Sequence, residues 1–310
     1  MDKYNFSVGK IAVVIVTYNR LEKLKKALAS YEQQLHKPDY MVIVDNASTD
    51  GTANWLENWE NNNHEFKVEI ITSNENLGGS GGFYLGEERA MQLPVDWIMI
   101  ADDDAYPTPN YIQGLVKYIE KNNADNISIM CGAVEQNNSY CSNQRTLYKK
   151  FKWQLNFLYD VPAEYYTKKF IYIDNASYVG ILINKKKLAQ VGLVNKNFFI
   201  WWDDTEHLMR LREIGSIICI PRFIIKHDVE ASNSNLSWKS YYGARNKLVS
   251  HRKHLPLTFP FIVLCFLLKT LLCPLKGKSL AEVKMRLIAT KDALFGNMGM
   301  HDVYKPGWKP

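Results

Sequence analysis

The chain is poor in cysteine, and its five cysteines (Cys131, Cys141, Cys219, Cys265 and Cys273) are scattered, with no CxxC pair and no His-rich set beside them. That spacing argues against a disulfide framework or a zinc site and fits a reducing cytosol. An uncharged run long enough to span a bilayer is also missing. The best candidate, LPLTFPFIVLCFLLKTLLCPL (255–275), is broken by Lys269 and carries Pro256, Pro260 and Pro274. Its longest uncharged piece, Leu255 to Leu268, falls short of the ~20 residues a span needs. The opening MDKYNFSVGK lacks the apolar stretch of a signal peptide. Neither a Walker A lysine nor a GxGxxG after a strand is present. At 46% apolar and 23% charged residues, disorder is not the default reading. A length of 310 residues suits one large domain, with or without a subdomain.

What is present is unevenly charged. Between Lys239 and Pro310 lie 13 of the 38 Lys and Arg but only 3 of the 32 Asp and Glu. A slightly acidic body with a basic tail points to a polyanionic partner, a membrane surface or a nucleic acid. The apolar run at 255–275, flanked by Arg252, Lys253, Lys276 and Lys278, favours an interfacial helix on anionic lipid. Its plainer reading is a core helix or a dimer contact.

IAVVIVTYN (11–19), YMVIVDNAS (40–48), FKVEIITS (66–73) and VDWIMIADDDA (95–105) read as buried strands. LEKLKKALASYEQQ (21–34) has helical spacing, and STDGTANWLENW (48–59) opens a helix with Ser, Thr and Asp capping chemistry. Alternating strands and helices predict a doubly wound α/β sheet, whose ligands bind beyond the carboxyl ends of the strands. Those ends carry Thr17-Tyr18-Asn19, Asp45-Asn46, Asn74–Gly82 and Asp102–Asp104.

The triplet ADDDA (101–105) sends Asp102 and Asp104 to one side and Asp103 to the other by strand alternation. Converging carboxylates want a cation, and hard oxygen ligands suit Mn²⁺ or Mg²⁺. Asp45 or Asn46 can accept from a nucleobase N–H or a ribose hydroxyl, although capping of the next helix explains them equally. NENLGGSGGFYLG (74–86) reads as a glycine-rich loop with backbone N–H groups free for phosphate. In FFIWWDDTEHLMR (198–210), Asp203 and Asp204 follow two tryptophans, and Glu206 and His207 come just after. His207 is expected on a helix surface.

Together VVIVTYNR, VDNASTDGT, NENLGGSGG and ADDDA resemble the family-two inverting glycosyltransferases of the GT-A fold, over residues 10–250. The resemblance implies a Rossmann-like, mostly parallel sheet flanked by helices. It places Thr17, Tyr18, Asn19, Arg20, Asp45, Asn46, Asn76, Gly78, Gly79, Asp102 and Asp103 around the nucleotide sugar, and Asp104 at the metal. WWDDTEH resembles the WDD motif of galactofuranosyltransferases and related rhamnosyltransferases, in which one carboxylate of the pair is the general base. Asp204 is read as that base and Asp203 as orienting the acceptor, with the reverse order left open. Trp201 and Trp202 offer an apolar face to the acceptor sugar, beside Glu206. His227 matches a metal-ligating histidine, and Arg245 in YYGARNKL a partner for the leaving diphosphate. NASYVGILINKK (175–186) resembles the region closing over the sugars, with Gly180 allowing close approach.

The expectation is therefore a GT-A catalytic domain over 1–236, split into a nucleotide-sugar half (1–105) and an acceptor half (106–236). A helical membrane-associating extension follows over 237–310. The function expected is metal-dependent transfer of galactofuranose from UDP-galactofuranose, or of rhamnose from dTDP-rhamnose. The acceptor would be a lipid-linked cell-surface glycan, with the enzyme peripheral on the cytoplasmic face of the membrane. Nucleic acid is not an expected partner, and self-association is left open. The alternative from another class is a non-catalytic nucleotide- or nucleic-acid-binding protein.

Overall fold

A computed structural model of the chain describes residues 9–149, 156–229 and 236–310. Most of the stretch examined for a signal peptide, residues 1–8, lies outside that range.

The chain runs β1 (Ile11–Thr17), α1 (Leu21–Glu32), β2 (Tyr40–Asp45), α2 (Thr52–Glu60), β3 (Lys67–Thr72), α3 (Gly78–Gln92) and β4 (Trp97–Asp102). It continues through β5 (Ala105–Pro107), α4 (Tyr111–Lys121), β6 (Ile127–Gln136), β7 (Ser139–Tyr140), β8 (Arg145–Tyr148) and β9 (Leu158–Asp160). Next come β10 (Ile171–Ile173), β11 (Asn175–Ala176), β12 (Val179–Asn184), α5 (Lys185–Val191), α6 (Asp203–Ile214) and β13 (Ser216–His227). Helices α7 (Trp238–His254), α8 (Phe259–Leu271) and α9 (Leu280–Phe295) close the order.

The main sheet is ordered β10-β13-β6-β12-β4-β1-β2-β3. Strands β4, β1, β2 and β3 are mutually parallel, as their uninterrupted β-branched runs require. Beyond them β12 runs antiparallel to both β4 and β6. Alternate residues of β1 feed separate cores. Ile11, Val13 and Ile15 pack on one face with α1 residues Leu24 and Leu28, while Ala12 and Val14 pack on the other with Phe83 of α3. Register aligns the carboxyl ends: Thr17 lies opposite Asp45, Asp45 opposite Thr72, and Val16 opposite Asp102.

The expected glycine-rich loop is instead the start of α3. A Cβ on Gly82 would sit 2.4 Å from Val16 Cγ1, and one on Gly86 would sit 2.3 Å from Val14 Cγ1. Those two glycines let the helix backbone lie directly on β1. Phosphate cradling is opposed by the hydrogen bonds, because Leu77 N donates to Asn46 Oδ1 (3.0 Å), Gly78 N to Asn76 Oδ1 (2.8 Å) and Ser80 N to Phe199 O (3.1 Å). Helix α2 also begins later than its capping residues suggest. Its N-cap is Gly51 at φ 88°, and Asp50 accepts from both Thr52 N (3.2 Å) and Leu21 N (3.0 Å).

All five cysteines are free. Among the described residues, no helix is long and apolar enough to cross a membrane. Helix α8 buries Ile262, Phe266 and Thr270 and exposes Leu264, Leu268 and Leu271 on its other side.

Gly86→Val should lower unfolding free energy by about 1–3 kcal/mol, the usual range for overpacking a tight core. Urea denaturation should show a lower midpoint at unchanged slope. An unchanged midpoint would mean that α3 does not need this seat on β1.

Candidate active site

Polar residues at the aligned strand ends line a cavity of about 920 Å³. Thr17, Tyr18, Arg20, Asn46, Asn76, Gly78, Gly79, Asp102 and Asp103 form one side, and Trp201, Trp202, Asp203, Asp204 and His227 another. Asn46 is held by its own neighbours, with Nδ2 donating to Asn76 Oδ1 (3.2 Å) and Gly78 O (3.0 Å).

The three aspartates differ in their partners. Asp103 accepts from Thr17 Oγ1 at 2.7 Å and pairs with Arg20 Nη1 at 2.8 Å. Burial pushes its carboxyl up to about 6 against the pull of Arg20 and Thr17. Asp104 pairs with the second Arg20 nitrogen, with Lys23 Nζ at 3.8 Å and with His227 Nε2 at 3.3 Å. Burial opposes the Asp104 charge, but His227 and Arg20 outweigh it and hold the carboxyl below its ordinary value. Asp102 is driven well up by burial, then by the charges of Asp104 and Asp103. Asp102, Asp104 and His227 each bring one ligand atom within 4.8 Å of the others. His227 Nδ1 is buried without a partner. Two crowded carboxylates and an imidazole with one unsatisfied nitrogen are a donor set that fits Mn²⁺ or Mg²⁺.

The second pair of carboxylates rides on a strained turn. Phe199, Trp201 and Trp202 all have left-handed φ values, 68°, 64° and 68°. Residues of this size rarely adopt that region, and each costs about 1–3 kcal/mol. Three carbonyls of the turn accept from Asn246 Nδ2: Phe198 O (2.9 Å), Ile200 O (3.0 Å) and Trp201 O (2.9 Å). Neighbouring glycines make room, since a Cβ on Gly78 would lie 2.1 Å from Phe199 O and one on Gly243 would lie 2.9 Å from the Trp201 ring. The turn ends in α6, whose first residues are Asp203 and Asp204. Burial, then the neighbouring Asp204 charge, raises Asp203 to about 7. Asp204 is also raised by burial, although the Thr205 N–H and hydroxyl bonding to its Oδ1 pull the other way.

Behind the pair lies a polar chain with no net charge. His207 is fully buried, which corrects its expected place on a helix surface. Its Nε2 lies 3.1 Å from Gly192 O, an atom that only accepts, so Nε2 carries the hydrogen and Nδ1 accepts from Tyr178 Oη. Burial lowers this imidazole to about 3 and raises Glu87 to about 8, so both are neutral near pH 7. Glu87 contacts Tyr178 Oη at 3.3 Å and accepts from Val194 N at 2.8 Å.

Several expected ligand residues serve the scaffold instead. Arg245 is 1% exposed and donates to Phe198 O (3.1 Å) and Gly299 O (2.8 Å), so no diphosphate reaches it. Glu206 is turned into an ion cluster with Arg210 (3.1 Å), Lys253 (2.7 Å) and His254 (3.1 Å), away from the acceptor face. Gly180, at φ 69°, is needed where a Cβ would meet Ile225 Cδ1 at 2.5 Å, a packing constraint rather than a substrate contact. Asn19 spends its side chain on Thr49 N (2.6 Å), and Asp45 lies behind the wall, accepting from Ser48 N (3.0 Å). The second Asp45 oxygen is buried without a partner.

Ser177, Tyr178, Trp238, Lys239 and Pro306 also line the cavity. The first two sit beside the quoted Gly180, but no spacing rule points to them. Lys239 is held below the ordinary lysine range by burial and by Arg20, against the pull of Asp102 and Asp104. It stands over the acid cluster from the first turn of α7.

Residues 12–179 match the family described as Glycosyl transferase family 2. Galactofuranosyltransferase GlfT1 of Mycolicibacterium smegmatis is 35% identical over 97 residues, which is 31% of this chain and 30% of that protein. The chain thus aligns with less than a third of that relative's length. The dTDP-rhamnosyl transferase RfbF of Shigella flexneri is 23% identical over 306 residues, 94% of this chain and 97% of that one. The crystal structure of GalNAc-T7 with UDP, GalNAc and Mn²⁺ superposes with a TM-score of 0.58 at 14% identity, over 79% of this chain and 48% of that one. That likeness is one of fold.

Arg245→Ala should cost about 1–3 kcal/mol, because it leaves buried carbonyls unpaired. UDP affinity per folded molecule should stay as in the wild type when titrated calorimetrically. A selective loss of UDP affinity at unchanged stability would return Arg245 to the diphosphate.

Proposed function

The chain belongs to glycosyl transferase family 2 and has the GT-A fold, and from that premise we propose that it is a metal-dependent, inverting glycosyltransferase. One observation carries the reading: a carboxylate–imidazole group and a separate carboxylate pair converge on a single cavity at the strand ends.

Asp102, Asp104 and His227 would hold Mn²⁺ or Mg²⁺, which when bound would neutralise charge on the donor diphosphate. Arg20, Lys23 and Lys239 add fixed positive charge around the same point. Thr17, Asn46 and Asn76, which line the cavity, would face the nucleoside, with Asp45 buried behind them. Trp201 and Trp202 carry the acceptor sugar. Asp204, with Asp203 orienting, takes the acceptor hydroxyl proton as that oxygen attacks the anomeric carbon opposite the leaving nucleotide. The pair shares one proton near neutrality, since two adjacent buried carboxylates resist joint ionisation.

UDP-galactofuranose is the preferred donor, on the local likeness to GlfT1. A second reading, dTDP-rhamnose, is favoured by the nearly full-length alignment with RfbF. A lipid-linked glycan is the acceptor we favour, presented at the inner membrane face. The exposed Leu257, Leu264, Leu268, Leu271, Leu272 and Leu275 support a peripheral seat on anionic lipid. Lys269, Lys276 and Lys278 stand among them, and no acidic residue occurs between Leu255 and Ala281.

Titration with UDP and with dTDP, each with and without Mn²⁺, tests the donor. Mn²⁺-dependent binding of UDP, abolished in Asp104→Ala, is expected; binding of dTDP alone moves the donor to rhamnose, and binding of neither removes the reading. Asp204→Asn should keep that nucleotide affinity and lose turnover by a factor on the order of 10²–10⁴. Wild-type turnover should rise with pH through about 7 as the pair loses its shared proton. Full activity in the variant hands the base role to Asp203. The protein should sediment with phosphatidylglycerol vesicles and not with phosphatidylcholine, and Leu264→Glu with Leu268→Glu should abolish this. Binding to duplex DNA without vesicle binding would sink the membrane assignment.

A further inference from the structure

Residues 299–308 have no part in the reaction described above, yet they are built into its cavity. Pro306 lines the wall beside Trp238 and Lys239. The segment is clasped at both ends. Gly299 N donates to Asn197 O at 2.7 Å, and Gly299 O accepts from Arg245 Nη1 at 2.8 Å. Further along, Tyr242 Oη donates to Tyr304 O at 2.8 Å and accepts from His301 N at 3.0 Å. His301 Nδ1 accepts from Val303 N (3.0 Å) and Tyr304 N (3.1 Å), which curls the segment back on itself. The Tyr304 ring, 4% exposed, stacks on Tyr241 at 5.0 Å and meets Trp308 edge-on at 5.3 Å.

These bonds lead back to the carboxylate pair. Arg245 uses one guanidinium to hold Gly299 O and Phe198 O together, so segment and strained turn share a single anchor. Phe199 and Tyr304 also lie in one apolar cluster with Tyr241 and Tyr242. A turn with three left-handed residues persists only where its surroundings over-determine it, and this segment is part of those surroundings.

We propose that residues 299–308 form a positioning strap, which completes the cavity wall at Pro306 and, through Arg245 and Tyr304, holds the turn that presents Asp203 and Asp204. The strap rests on the glycosyl-transfer reading for its effect on rate, but not for its effect on the turn.

The test compares Tyr304→Ala and Tyr304→Phe with wild type by two readouts. In hydrogen exchange followed by mass spectrometry, amides of residues 196–206 should exchange on the order of tenfold faster in Tyr304→Ala, while β1 and β2 stay protected. With UDP-galactofuranose and dTDP-rhamnose as donors and water as acceptor, kcat for hydrolysis should fall on the order of tenfold at unchanged Mn²⁺-dependent UDP affinity. Tyr304→Phe keeps the ring stack and should behave as wild type in both. Unchanged exchange over 196–206 in Tyr304→Ala overturns the strap, as does an equal loosening of β1 and β2, which would mean general destabilisation. A wild type that hydrolyses neither donor fails the transfer reading alone, because exchange still decides the strap. Should Tyr304→Ala not fold, Trp308→Ala, with a half-buried ring at the outer edge of the stack, makes the same comparison.

Discussion

The side-chain amide of Asn246 holds the chain in a shape it would not otherwise keep. Three carbonyls of residues 198–201 converge on one nitrogen, and without it three bulky residues would leave the left-handed region at a gain of about 1–3 kcal/mol each. The geometry those bonds preserve reverses the chain so that Trp201 and Trp202 line the cavity and α6 starts at Asp203. A helix start would normally favour the carboxylate charge through the dipole. Here burial wins, and Asp203 rises to about 7. The same turn thus delivers the pair to a buried position, and that burial raises its proton affinity.

The remaining negative charge is managed by position. At the end of β4 three aspartates share Arg20, Lys23 and His227, and the one without a direct cation, Asp102, is the one pushed furthest from its charged form. Behind the Asp203–Asp204 pair, the linked polar groups carry no charge. Glu87, Tyr178 and His207 are linked as neutral groups, a protonated carboxyl and an uncharged imidazole with their hydrogen-bonding atoms engaged. A charged cluster at the cavity and an uncharged one behind it let Tyr178 face the site without adding a third ionised centre.

Much of this was legible in the sequence because it rests on local pattern. Uninterrupted β-branched runs mark parallel strands, and polar residues after them mark the edge where ligands bind, so Thr17, Asn46 and Asp102 fell where expected. The errors share a different cause. Arg245, Glu206 and His207 were assigned by motif or by helix position, but their roles depend on carbonyls and carboxylates distant in sequence: Gly299 for the first, Lys253 and His254 for the second, and Gly192 for the third. The glycines after Asn74 misled for a related reason. Glycine serves a flexible loop and a tightly seated helix alike, and only the Val14 and Val16 side chains beneath α3 distinguish the two.

Helix α7 carries much of what composition could not foretell. Its first turn puts Trp238 and Lys239 into the cavity, its middle supplies Arg245 and Asn246 to the strained turn, and Lys253 near its end satisfies Glu206. One helix therefore contributes to the cavity with its first turn and braces the scaffold behind it with the rest. The apolar stripe of α8 begins only a few residues after α7 ends. On the opposite, buried side of α8, Ile262 and Phe266 join Leu248 of α7 in one apolar cluster, and Ala244 of α7 borders both that cluster and the one that holds Tyr242 and Phe199, so the helix that braces the strained turn is itself seated on α8.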